Sequence, residues 1–360
     1  MKSTLLTTTA LVVLAGAASA EVTHALSGTL GYNDTVASTS DNEYGFYWEG
    51  NLQVTATQEL DNGLTAGAYF EITIDGDNST SADDFGQDLA SSDFVLSLTS
   101  DTAGLYFGDT GVATKHWASA GDMEADAFTT DHDSAALRGD VSFGDVDASI
   151  SYLIDDANDT VEQLAVGVSG SFGAFTFAAA YQEETAYADG NGDFNADEVF
   201  GISAGGTFGG ATVTVAYASN ETDSATSTGV KVAYPFGPVT ATAYYVAEEG
   251  TGGDEPNYGV NVAYAEGAIS GSVDYQDDQG TSKWAINAGY DLGNGIALFG
   301  GVENQNEGDD FDYHVGGTYD LGNGASLLVT YAADEDGDQA DEIGSGDYQE
   351  GTTVEVSFTF

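Results

Sequence analysis

The sequence has no cysteine, three prolines and only five lysines and arginines among 360 residues. The missing thiols exclude a disulfide scaffold, thiolate-held zinc and a cysteine nucleophile. So few cations cannot neutralise a phosphate backbone, so no nucleic-acid partner is expected. Scarce proline beside 48 glycines excludes proline-rich and collagen-like chains. Long hydrophobic runs are also missing: after residue 20 no stretch has the roughly 18 apolar residues of a membrane helix.

Acid and aromatic side chains are abundant instead. Asp and Glu number 60 and set the net charge at −55, alongside 20 Tyr and 18 Phe. A disordered acidic chain would be poor in aromatics. Abundant Tyr, Val and Thr with little Pro point to β structure. Residues 1–20 read as a secretory signal: Lys2 supplies the charge, Ala10–Ala15 the apolar centre and Ala18-Ser19-Ala20 the cleavage site. The chain is expected to be exported as one unit, residues 21–360.

A hairpin repeat fills that unit. Alternating apolar residues run to an aromatic or Leu, a tight Gly turn follows, alternation resumes, and a Tyr precedes an acidic loop. Val166–Phe172, Gly173 and Phe175–Tyr181 form one copy; Ile286–Leu292, Gly293-Asn294-Gly295 and Ile296–Val302 form another. Each copy holds two strands of roughly ten residues, the length that crosses a bilayer when tilted. Successive strand residues point to opposite faces. Val354, Val356, Phe358 and Phe360 share one face and Glu355, Ser357 and Thr359 the other; Phe70, Ile72 and Ile74 oppose Glu71 and Thr73.

A soluble sandwich would bury the apolar face between two sheets. A membrane barrel would turn it to lipid and the polar face to water. Turns that mostly alternate short and long favour the barrel. So do aromatics at both strand ends, with Phe143, Phe172 and Phe208 by the turns and Tyr152, Tyr181 and Tyr217 by the loops. One strand near 22–32, nine hairpins and a closing strand near 350–360 make an all-β, transmembrane, antiparallel up-and-down barrel of 20 strands, an even number as bacterial barrels require.

Residues 109–134 break the rhythm. They show no alternation yet carry Trp117, Met123 and Phe128. Loops of this length are usually functional. In a barrel too wide for side chains to fill, such a loop is expected to fold inward and constrict the pore. Its candidate constriction residues are Lys115, Asp122, Glu124, Asp126, Asp131 and Asp133. On the polar strand faces, Arg138, Lys231, Lys283, Glu49, Glu71, Asp140, Asp274 and Glu355 are the candidate pore wall, with Tyr47 and Tyr69 beside them. Fixed negative charge along a pore concentrates cations and repels anions.

No cofactor is required, and calcium is the one ion the spacing suggests. Asp189, Asn191, Asp193 and Asp197 in one loop, and Asp334, Asp336, Asp338 and Asp341 in another, place oxygen ligands at near-alternate positions. The first loop has Phe194 and Phe200 where an EF-hand would have its Gly and its bidentate Glu. The four histidines have no catalytic spacing, and His314 stands by itself on a polar face. The chain does not read as an enzyme.

The order of its motifs resembles the Gram-negative general porins, especially those of the alphaproteobacterial type. The resemblance covers Glu21 to Phe360. It rests on Glu21-Val22 with Leu26-Ser27-Gly28, on Asp61-Asn62-Gly63-Leu64-Thr65-Ala66-Gly67-Ala68, and on Gly104-Leu105-Tyr106-Phe107-Gly108-Asp109 before the long loop. The repeated Tyr-Asp-Leu-Gly-Asn-Gly at 290–295 and 319–324 and the terminal Phe360 complete it. The resemblance implies an outer-membrane homotrimer among lipid, an inward third loop, passive diffusion of small hydrophilic solutes, and Phe360 as an assembly signal. Two departures stand out. The family usually has sixteen strands, and its arginine cluster facing the inward loop is reduced here to Arg138, Lys231 and Lys283. A channel specific for sugars or amino acids is the nearest alternative, and a non-conducting adhesin a more distant one.

Overall fold

The computed structural model describes residues 20–35, 45–76, 88–90, 93–132, 134–155, 160–188, 194–250, 255–304, 311–333, 343–344 and 348–360. The signal-like segment before Ala20 lies outside them. The first strands are β1 (Glu21–Asn33), β2 (Gly45–Glu59), β3 (Thr65–Gly76), β4 (Asp88–Ala90), β5 (Phe94–Thr99), β6 (Ala103–Gly108) and β7 (Ala135–Phe143). Next come β8 (Val146–Asp155), β9 (Thr160–Phe172), β10 (Phe175–Gln182), β11 (Val199–Phe208), β12 (Ala211–Asn220), β13 (Ala225–Phe236) and β14 (Val239–Glu249). The last are β15 (Asn257–Glu266), β16 (Ile269–Asp278), β17 (Thr281–Gly293), β18 (Ile296–Asn304), β19 (Asp312–Gly322), β20 (Ala325–Ala333) and β21 (Gly351–Thr359).

Each strand pairs antiparallel with its neighbour in sequence, and β1 pairs with β21 to close the ring, Ser27 opposite Thr359 and Tyr32 opposite Val354. β4 is a three-residue piece that pairs with the end of β3 beyond the stretch holding β5, so the two share one stave. The cylinder therefore has 20 staves, as the hairpin tally expects. Closure pairs the last residue as well: Phe360 N–H donates to the Leu26 carbonyl at 2.7 Å. A closed sheet leaves no backbone edge for lipid to face, which is why only helices and barrels span membranes.

The short turns follow from local chemistry. The turn joining β13 to β14 is Gly237-Pro238, with Gly237 at φ +61°. A hairpin turn of this kind needs a positive φ at its first position and a proline-compatible negative φ at its second. Asn294 and Asn323 take the left-handed conformation in the two Gly-Asn-Gly turns.

The two faces separate as the alternation requires. Leu30, Val141, Ile202, Val273 and Val315 all point outward and are roughly half exposed, and the turn-end Phe143 and Phe172 are more than 80% exposed. An apolar belt of that extent on a soluble monomer would be an aggregation surface. On a barrel it is the lipid face. Buried residues lie inside the cylinder, where Val112, Ala120 and Ala125 of the 109–134 loop meet inward residues of the wall such as Ala136, Ala218 and Val246.

Candidate functional site

The lumen site is built by the 109–134 loop. Two single-turn 3-10 helices, Ala113–His116 and Glu124–Asp126, give it shape. It runs along the inner wall from β7 to β16, held by polar side chains of the inward faces. Ala113 N–H donates to Ser151 Oγ at 2.8 Å, and the two ring nitrogens of His116 bond Ser149 and Ser169, each at 2.8 Å. Thr129 N–H donates to Gln182 Oε1 at 2.8 Å, Ala125 N–H to Ser227 Oγ at 2.9 Å and Glu124 N–H to Glu248 Oε1 at 3.2 Å. Asn257 donates to Glu124 Oε1 at 2.8 Å, and Gln276 to Asp122.

Apolar packing reinforces these bonds. Met123 and the alanines at 120 and 125 pack on Ala216, Ala218 and Val246, and Phe128 packs on Ala180 and Val199 with Trp117 beside both sets. The wall makes room with glycine. A Cβ at Gly201 would stand 2.5 Å from the Trp117 ring, and one at Gly229 would stand 2.7 Å from the Ala120 carbonyl oxygen.

The charged residues named from the sequence fall into three sets. Lys115, Arg138 and Asp140 meet: Lys115 Nζ lies 2.8 Å from Asp140 Oδ2 and Arg138 Nε lies 3.0 Å from Asp140 Oδ1. Arg138 also donates to the Gly111 carbonyl and covers the Tyr106 ring at 4.8 Å. Asp122, Glu124 and Asp278 bring carboxylate oxygens within 4.8 Å of one another, with Lys283 Nζ 3.8 Å from Asp278. The third set stands on the wall strands β2, β3, β16 and β21. Glu49 stands exposed on β2, Glu71 accepts from Tyr69, Asn51 and Gln53, and Glu355 accepts from Tyr47 at 2.9 Å. Asp274 accepts from Asn261. Lys231 makes no ion pair among the described residues.

Asp131 accepts from the next residue's N–H at 2.9 Å on the return limb, while Asp133 lies outside the described residues. So do Asp189, Asn191, Asp193, Asp334, Asp336, Asp338 and Asp341; Asp197 is described and accepts from Asn220 at 2.8 Å.

Crowding shifts the loop's acids. Burial, with Asp122, Glu248 and Glu124 nearby, pushes Asp126 up to about 6, although the Trp117 indole N–H opposes the shift by donating to it at 2.9 Å. Burial and then Asp278 and Glu124 raise Asp122. Burial and then neighbouring Lys115 lower His116, whose ring is hydrogen-bonded to Ser149 and Ser169.

A ring of lipid-facing strands around a polar lumen, partly filled by a docked loop, agrees with a family whose model matches the sequence: Gram-negative porin, over residues 7–339. The chain belongs to the Gram-negative porin family. A triple mutant of the Rhodopseudomonas blastica porin is similar at 14% identity, with 95% of this chain and 100% of that chain covered and a TM-score of 0.46. A second mutant of that porin is similar at 16% identity, with the same coverage and TM-score. No curated protein sequence matches. As a member of this family the porin resides in the outer membrane.

Several lumen residues of the porin were not marked by any sequence signal. Glu248, only 6% exposed, accepts from Ser227 and from the loop backbone at Glu124. Asp278 joins Asp122 and Glu124, and Gly201 and Gly229 seat the loop. His314 does not stand by itself: its Nδ1 lies 3.9 Å from Glu303 and its ring 4.9 Å from that of Tyr348. Glu303 is on the adjacent strand, and Tyr348 returns from far along the chain.

Proposed function

We propose that this porin is a passive, water-filled diffusion channel for small hydrophilic solutes and ions, with a preference for cations. The charge pairing in the lumen carries the reading. Lys115, Arg138 and Lys283 sit on two carboxylates, Asp140 and Asp278. Glu49, Glu71, Asp274 and Glu355 have no basic partner among the described residues. Uncompensated fixed charge in a confined aqueous path raises the local concentration of counter-ions. The narrowing is assigned to the 109–134 loop, with Lys115, Asp122, Glu124 and Asp126 on it and the strand acids opposite.

Reversal potentials in planar bilayers across a salt gradient test this reading. Cation preference is expected, and it should fall as salt rises, because screening shortens from about 10 Å at 0.1 M to about 3 Å at 1 M. A clear anion preference would overturn the charge assignment, and absence of conductance would overturn the channel. The same reading assigns residues 1–20 to a removed export signal and three copies to the assembled particle. N-terminal sequencing and native mass measurement of protein extracted from outer membranes check those two points.

A further inference from the structure

A second stretch of chain returns to the lumen wall. Gly344 lies against Asn287 and Ala285 of β17, and Tyr348 stacks on Phe299 of β18 with ring centroids 4.9 Å apart and planes 14° from parallel. His314 of β19 adds a third ring, 4.9 Å from Tyr348. These rings line a cavity of about 400 Å³ whose polar side chains are Tyr264, Ser270, Ser272 and Asn287 together with His314 and Tyr348 themselves. That volume falls in the range of small-molecule sites, about 300–1,000 Å³. Much of the rest of the lining is glycine and alanine, so backbone and small methyl groups form a smooth floor.

The lining holds no Asp, Glu, Lys or Arg. In a chain with 60 acids this is a lining without carboxylate, ammonium or guanidinium groups, its one titratable ring being His314, 3.9 Å from Glu303. It offers an anion no fixed cation, and a metal or ammonium ion no carboxylate. It does offer aromatic rings together with hydroxyl and amide groups. Ring faces carry partial negative charge and attract polarised C–H bonds. Serine hydroxyls and an asparagine amide both donate and accept, as a polyol requires. We propose that this cavity is a lumen subsite for an uncharged polyhydroxylated solute of mono- or disaccharide size. The proposal rests on the water-filled channel reading above and adds a solute class to it.

The test uses the full-length protein in planar bilayers, titrated with glucose and maltose while ion current and its noise are recorded. A saturable fall in current is expected, beyond that caused by the sugar's effect on bulk conductivity. Tyr348→Ala should weaken this block by about ten-fold, from loss of a stacking partner, and Tyr348→Phe should largely retain it. The ion selectivity of the sugar-free channel should be the same in all three proteins. A conducting channel with no saturable sugar effect would overturn the subsite and leave the channel reading intact, whereas a protein that forms no channel would fail the earlier reading instead. Block by tetramethylammonium but not by sugar would also overturn the proposal, reassigning the rings to an organic cation.

Discussion

The Trp117 indole N–H donates to Asp126 Oδ2 at 2.9 Å, tying the first short helix of the inward loop to the second. The bond lies within the loop, where burial and neighbouring acids disfavour a charge on Asp126.

Acid should therefore tighten the loop. Asp126 has an ordinary value of 3.8 and is raised to about 6 in the folded protein. Between those values the folded loop keeps the proton that an undocked loop has lost. Stability thus falls as pH rises through this window, with the cost absent below it and complete above it. With Trp48 and Trp284 replaced by Phe, the fluorescence of Trp117 should titrate with a midpoint near pH 6. Asp126→Asn should abolish that titration.

Two substitutions at one ion-pair cluster should shift selectivity in opposite directions. Asp140→Asn removes the carboxylate shared by Lys115 and Arg138 and leaves two uncompensated cations, so cation preference should fall. Lys115→Ala removes one of the cations, so cation preference should rise. Reversal potentials at about 0.1 M salt, where screening is weak enough to keep the difference visible, provide the measurement.

The glycine seat of the loop can be filled. A side chain at Gly201 would occupy the space of the Trp117 ring. Gly201→Leu should cost about 1–3 kcal/mol of overpacking, most readily relieved by lifting the loop off β11. Single-channel conductance should increase, and Trp117 fluorescence should move toward that of a solvated indole.

The strands and their faces were legible because lipid and water impose a two-residue period on each segment. Phe70, Ile72 and Ile74 against Glu71 and Thr73 are enough to orient β3 without knowledge of its neighbours. The inward loop was legible for the opposite reason: Trp117, Met123 and Phe128 lack that period and still need burial. The partners of these residues were hidden. Glu124 meets Glu248 and Asn257, more than a hundred positions away, and Tyr348 reaches His314 through a chain return that leaves no local pattern. Glycines 201 and 229 resemble any other strand glycine until the loop is seen resting on them.

The C-terminal residue completes the seam. Phe360 exchanges backbone hydrogen bonds with Leu26 at 2.7 and 3.4 Å. Deleting Phe360 removes both bonds and an outward aromatic ring, 76% exposed. The amount of folded barrel in the outer membrane should drop, while any barrel that does form should conduct normally. Heat-modifiable mobility on gels and single-channel recording separate these two effects.

The pairing of β1 with β21 imposes an order of events on biogenesis. Every other stave finds its partner next to it in sequence, so hairpins can form as the chain emerges, but the seam joins residues from opposite ends of the polypeptide. Until the final strand is available, the growing sheet has two bare edges and a greasy exterior, a state prone to clumping in water. The newly made polypeptide must therefore be kept from collapsing until it reaches the bilayer, and ring closure has to be its last step.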